Sequence, residues 1–429
     1  MSKIIEYLSQ VKYLFIFYLT GILYVICPLQ IYGSRIQSIF QLCYILWALV
    51  LIACQLLTKR FRFDKMLVIM LCFYIWCWIS YLFQPKPHGI IPLKHLLILL
   101  MFLALIFPMS KYYSEAELNR FLITIFKMVV FITVVLNIFS IGYYFLRGII
   151  PFPNYIHEKF NLFSGRNGIL RYAGIYFHPV LAGEKCFLST VFSILLLHKK
   201  KLSRFATLLT LLSSGVMIIL ADPRTTYLQF LFVSAYVVYY LLESSKGKRC
   251  AHIFLFISTV IVVTVLIYLM IQSNEEGHFQ LLNQFSSNRL IIWKTAVKEA
   301  SKRPWLGWGW ENCDSIVIYT QSGIENCHNI IINLLLWTGI PGVTLFLIIL
   351  VLWSMNIIKN WTTLQASNNH WLAIITVALF IQSLLDILII GDDLRIGTPF
   401  FWLFAGISYY VSCKSNMEQD SSSHGAPQN

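Results

Sequence analysis

A chain of 429 residues that is 58% hydrophobic and only 12% charged lacks the charge to cover the soluble domains its length would otherwise suggest. Its many apolar runs of about 17–25 residues have the length needed to cross a bilayer, which excludes a soluble enzyme. The net charge of +14 collects in the connectors between those runs, and no nucleic-acid partner is expected.

The fold class that follows is all-α: a polytopic integral membrane protein of about twelve transmembrane helices, with the lipid bilayer as its surroundings. The spans are read at 13–31, 36–57, 66–83, 91–109, 121–146, 173–197, 205–221, 226–242, 253–272, 329–356, 370–391 and 396–413. The opening MSKIIEYLSQVKYLF has no small-residue cleavage site, so the first span reads as a retained anchor. Three connectors, TKRFRFDK (58–65), HKKKLSR (198–204) and ESSKGKRC (243–250), are dense in Lys and Arg and all follow even-numbered spans. By the positive-inside rule they face the cytoplasm, which puts both termini there as well. The chain then divides into spans one to nine (1–272), a long outer loop (273–328), spans ten to twelve (329–413) and a disordered cytoplasmic tail (414–429).

Most of the ten cysteines, among them Cys43, Cys54, Cys72, Cys77 and Cys186, lie inside apolar runs and act there as small hydrophobes. Zinc spacing is absent, and no metal or cofactor is expected.

The outer segments ought to be poor in basic residues, yet they carry Arg147, Lys159, Arg166, Arg171, Arg224, Arg289, Lys294, Lys298, Lys302, Arg303 and Arg395. Arg224 has apolar sequence on both sides. Two readings are open for it, a hairpin staple paired with Asp222 and a functional cation at the edge of hydrocarbon. SSNRLIIWKTAVKEASKRP (286–304) reads as an amphipathic helix ended by Pro304. Arg289, Trp293, Ala296, Val297 and Ala300 fall on one face, and Lys294, Lys298 and Lys302 on another. WLGWGWEN then suits a turn in the headgroup zone. His328 stands just outside the tenth span, Asn329 is a natural cap for it, and Asn333 lies one turn on. The imidazole reads either as an interfacial hydrogen-bonding group or as a catalyst.

Arginines beside a histidine, with no acidic cluster for a metal, suit the departure of a diphosphate. Guanidinium donors clamp the leaving group, and a neutral imidazole activates an acceptor hydroxyl.

At this point the chain resembles the O-antigen ligase and polysaccharide polymerase superfamily. The likeness is most specific in RLIIWKTAVKEASKRPWLGWGWENC and CHNIIINLLLWTGIPGVTLFL. These follow the family pattern of an Arg-led amphipathic helix, a Pro-aromatic-Gly-x-Gly turn, His-Asn, a span and a Gly-Ile-x-Gly exit. DPRTTYLQF (222–230) is similar to the family's Ser-Arg segment, with Pro223 in place of the small hydroxyl residue. RYAGIYFHPVLAGE (171–184) resembles an Arg-x-x-Gly-x-Phe-x-x-Pro segment of polymerase-like members, with Tyr176 at the Phe position.

The resemblance implies metal-independent, inverting transfer of a glycan from undecaprenyl diphosphate on the outer face of the bacterial cytoplasmic membrane. It assigns His328 as general base, Arg224 and Arg289 to the diphosphate, and Arg171, Arg303 and Asn329 to substrate contact. A flippase and a chain-length regulator are the implied assembly partners. Polymerase is the first reading and ligase to the lipid A core the second. A lipid-linked oligosaccharide flippase comes from another class. It predicts mid-membrane charge along a cavity and small outer loops, neither of which fits here. Cys313 and Cys327 bracket thirteen residues just before His328. A disulfide that limits the travel of His328 and a pair of free thiols are both consistent with that spacing.

Overall fold

The computed structural model describes residues 16–17, 19–21, 34–58, 64–85, 90–109, 115–151, 163–166, 169–176, 178–241, 289–311, 327–385 and 397–423. In chain order the helices are α1 (Ser34–Leu57), α2 (Lys65–Leu82), α3 (Ile90–Met109), α4 (Glu115–Leu146), α5 (Pro179–His198), α6 (Arg204–Ala221) and α7 (Arg224–Leu241). They continue with α8 (Arg289–Ala300), α9 (Ile330–Lys359), α10 (Trp361–Ala366), α11 (His370–Ser383) and α12 (Gly397–Ser423). Five described helices are long and apolar enough to cross a membrane: α2, residues Ala116–Leu146 of α4, α5, α6 and α9. With the shorter apolar stretches Gln41–Leu57, Pro92–Leu103 and His370–Ser383, they define an all-α membrane protein. The span expected at 253–272 lies outside the described residues, as does most of that at 13–31.

Local chemistry sets the helix starts. Asp64 accepts the Leu67 N–H at 2.8 Å to open α2, and Ser203 accepts the Ala206 N–H at 3.1 Å to open α6. The sixth span begins at Pro179 rather than at 173, because proline suits the first helical position and His178 Nδ1 accepts the Val180 N–H at 3.3 Å. The residues before it form a 3-10 turn (Gly174–Tyr176) and an antiparallel hairpin of β1 (Phe163–Arg166) and β2 (Ile169–Tyr172). That hairpin was not expected. Its register runs from Phe163 opposite Tyr172 to Arg166 opposite Ile169. At the other end of the chain α12 runs on to Ser423, into the segment expected as tail. Met417, Glu418 and Gln419 are good helix formers, and no Gly or Pro intervenes before Gly425.

α5 packs on α4 and α6, α7 on α11, and α9 on α2 and α8. Long-range bonds sort the helix ends into two sets. At one end Lys199 donates to Asn119 at 3.3 Å, and Tyr236 and Tyr240 pack their rings against His370 and Trp371. At the other end meet Phe83 and Arg303, Arg171 and Ala221, Trp293 and Cys327, and Asn329 and Leu384. The second set contains every described residue singled out as a site candidate.

Candidate active site at the start of a broken helix

Asn329 caps α9. Its Oδ1 accepts the N–H groups of Ile331 at 2.9 Å and Ile332 at 3.1 Å, two of the four donors a helix start leaves orphaned. Its Nδ2 donates to the Leu384 carbonyl, just past the end of α11, at 2.9 Å. Both ends of this amide are therefore held within the protein, and Asn329 joins α9 to α11. Asn333, fully buried one turn on, accepts the Cys327 N–H at 3.0 Å, and Trp293 of α8 donates its indole N–H to the Cys327 carbonyl at 2.8 Å. His328 sits between these two anchored residues, partly exposed, with φ 50°. A residue with a side chain is disfavoured in this left-handed region by about 1–2 kcal/mol. The bonds on either side hold it there.

The helix that begins here is not continuous. Gly339 has φ 69° and ψ −170°, and Pro341 follows it. The break frees carbonyls that a membrane cannot hydrate, and the turn after α8 supplies their partners. Trp308 and Gly309 N–H groups donate to the Leu336 and Trp337 carbonyls at 2.8 and 3.0 Å, and the Ile340 N–H donates to Pro304 O at 2.7 Å. α2 completes the set. The Trp76 indole donates to Thr338 O at 2.9 Å, and the Ser80 hydroxyl lies within 2.5 Å of Trp337 O and 2.7 Å of Leu306 O. Gly307 and Gly339 face each other's backbones: a Cβ on Gly307 would strike the Trp337 carbonyl, and one on Gly339 the Pro304 and Trp305 carbonyls. The turn expected in the headgroup zone packs as a plug against the broken helix, with Trp310 fully buried and Trp305 broadly exposed. The same packing revises the expected face of α8. Ile292, Ala296, Glu299 and Ala300 are buried, whereas Val297 is exposed. At Glu299 the backbone carbonyl accepts the Trp308 indole N–H at 3.0 Å, while the carboxylate pairs with Lys302 at 2.7 Å.

Arg289 is the first residue of α8, partly exposed, and precedes by one turn the Trp293 that holds Cys327. Arg224 is the first residue of α7 and is exposed. Its setting is built by two neighbouring segments. Arg171 of β2 donates to the Ala221 carbonyl at 3.0 Å and to the Asp222 carbonyl, a guanidinium on the negative end of α6. Asp222 is left-handed at φ 44°. Pro223 is buried over Gly183 of α5, where any side chain would collide with Pro223 and Thr226. The proline that departs from the family pattern thus packs the arginine-bearing turn onto α5. The other departure is also accommodated: the Tyr176 hydroxyl donates to Asn137 of α4 at 2.6 Å, and the Tyr172 hydroxyl to Ser140 O at 2.8 Å.

Arg303 donates to the Phe83 carbonyl at 3.2 Å and lies 5.7 Å from the Trp308 ring centroid, so it ties α2 to the plug. Cys327 is buried, and Cys313 lies outside the described residues. Among the described residues no group of three His, Cys, Asp or Glu is suited to a metal.

The structure therefore places Arg224 and Arg289 at the starts of α7 and α8 and His328 just before α9, and gives Arg171, Arg303 and Asn329 hydrogen bonds to backbone carbonyls. Sequence reasoning missed the buried polar residues Glu184, Gln229 and Gln382, and the pair His95 and Glu311, in which imidazole and carboxylate stand 3.3 Å apart. The available signal was a polar residue inside an apolar run.

A bundle of long apolar helices, one of them broken at Gly339 and re-satisfied by its neighbours, with arginines and a histidine along one rim, belongs to a multi-pass membrane protein. Residues 207–347 match the family model described as O-antigen ligase, and this shows the resemblance to the O-antigen ligase and polysaccharide polymerase superfamily of surface polysaccharide biosynthesis. The matched stretch holds Arg224, Arg289, Arg303, His328 and Asn329, and Arg171 precedes it. No curated protein matches the chain.

Proposed function

We propose that the protein transfers a glycan en bloc from undecaprenyl diphosphate to an acceptor sugar hydroxyl at the outer face of the bacterial cytoplasmic membrane. His328 takes the proton from the acceptor hydroxyl as its oxygen bonds to the anomeric carbon. The bond from that carbon to the diphosphate oxygen breaks, and its electron pair leaves with the diphosphate, which Arg224 and Arg289 hold. Base and clamp act on opposite faces of the sugar, so the anomeric centre inverts. No step calls for a metal.

The observation that carries this reading is His328 itself, a non-glycine residue in a left-handed conformation between two hydrogen-bonded neighbours, next to the arginine-led α8. Strain kept at a polar residue by surrounding bonds is a feature of functional sites. Arg171 and Asn329 act by positioning, the first under the Asp222–Arg224 turn and the second beside His328. The basic connectors on the opposite side support an outer position for this end of the molecule. Flippase and chain-length regulator are its expected partners in assembly.

Chain elongation is the favoured form, supported by the RYAGIYFHP segment. The family model's description favours ligation to the lipid A core as the second reading. Lipopolysaccharide from a deletion strain separates them. A single capped repeat on lipid A supports the polymerase. Long chains held on the carrier and missing from lipid A support the ligase. A full-length ladder on lipid A contradicts both.

A further inference from the structure

Beneath the rim, three helices are joined by side chains that the chemistry above does not use. Gln229 of α7 donates from Nε2 to Gln382 Oε1 of α11 at 2.6 Å and to the Ala378 carbonyl at 3.3 Å. Gln382 in turn donates from Nε2 to Glu184 Oε2 of α5 at 3.3 Å. Glu184 and Gln229 are 0% exposed and Gln382 2%. With Glu184 ionised the direction of the chain is fixed, because a carboxylate only accepts: Gln382 turns its amide nitrogen to Glu184 and its oxygen to Gln229. Polar groups inside a membrane bundle are costly, and an apolar trio would serve cohesion as well.

Each of the three leads directly to the rim. Glu184 follows Gly183, the residue on which Pro223 and Thr226 rest. Gln229 lies five residues beyond Arg224, roughly 7.5 Å along the helix axis. Gln382 lies two residues before Leu384, whose carbonyl holds Asn329 beside His328. We infer that Gln382 is a positioning residue for glycan transfer, fixing the helix that holds the histidine against the helix that carries Arg224 through its paired bonds to Glu184 and Gln229. This rests on the proposed transfer reaction. A donor clamped by the arginines would still bind without Gln382, but the base would meet the acceptor from the wrong distance. A displacement of about 1 Å costs on the order of 100-fold in rate.

The test uses the purified full-length protein with a lipid-diphosphate-linked single repeat as donor, measuring kcat, donor KM and thermal unfolding. Gln382→Met is expected to lower kcat by about 10- to 100-fold, with donor KM held within about threefold. Gln382→Glu alone is expected to fall similarly, because it sets two carboxylates against each other and leaves no donor between them. The double exchange Glu184→Gln with Gln382→Glu puts the carboxylate on α11, where it accepts from both amides, and is expected to recover kcat to within about threefold of wild type. A purely structural role would shift the unfolding temperature without this split between kcat and KM. Wild-type turnover by Gln382→Met overturns the inference. So does a double exchange that stays slow or does not fold, since its bonds are restored. Wild type and His328→Asn are run in parallel. Wild-type protein that moves no glycan overturns the transfer reading itself. An active wild type, a dead His328→Asn and an unaffected Gln382→Met overturn only the role of Gln382.

Discussion

Two residues with left-handed backbones stand eleven positions apart on one chain segment, His328 before the first turn of α9 and Gly339 within it. At Gly339 the conformation falls on the residue that adopts it freely, and the turn after α8 and the side chains of α2 take up the freed carbonyls. At His328 it falls on a residue that resists it, held by the anchors on Cys327 and Asn329. The first break is architecture, and the second keeps an imidazole where a helix would not put one. Substitutions at the two sites should therefore fail in opposite ways.

The largest effect is expected from His328→Gly. It removes the base while relieving the backbone, so transfer should fall at least about 100-fold with unfolding unchanged or delayed by about 1 kcal/mol. Turnover assays and thermal melts on the same preparation check both halves. Gly339→Ala should do the reverse. Its Cβ meets the Pro304 and Trp305 carbonyls in a disfavoured φ region, a loss of about 3 kcal/mol read as low folded yield and a lower melting temperature. Arg224→Lys and Arg289→Lys keep the charge and lose the bidentate fork. Each should lower kcat/KM for the lipid-linked donor by about 10-fold, measured at constant salt. Arg171→Ala should cost about 1–2 kcal/mol of stability through the uncapped end of α6, visible as a lower unfolding temperature, with a smaller loss of transfer as the Asp222–Arg224 turn loosens. The smallest effect is expected from chelator, which should leave the rate unchanged.

Much of the fold was legible because bilayer crossing is written in runs of apolar residues, and the cap Asn329 is written in a single residue. The His-Asn, Gly-x-Gly and Gly-Ile-x-Gly signatures were legible as signatures. Their physical connection was not, because the Trp308 and Gly309 N–H groups meet the Leu336 and Trp337 carbonyls only when α8 folds against α9. Gly339 with Pro341 two residues later was the local warning of a break inside the tenth span. The Trp-rich turn was legible only in part for a related reason: tryptophan and glycine suit both a lipid interface and a tight plug, and only packing shows the second. Arg171 and Asn329 show the same limit. Their residue types fit substrate contact, and their bonds to Ala221 and Leu384, which no stretch of sequence carries, are tertiary facts beside that reading. Glu184, Gln229 and Gln382 are spread over three helices, so no single stretch of sequence carries their chain of bonds.

The central role given to His328 is tested most directly by reconstituting wild type and His328→Asn in vesicles with the lipid-linked donor and an acceptor, in the presence of chelator. Asparagine tolerates the left-handed backbone, so the variant keeps the local fold and lacks the base. The expected result is glycan transferred by wild type, none above background from the variant, and equal donor binding by both. Transfer by His328→Asn at the wild-type rate would contradict it.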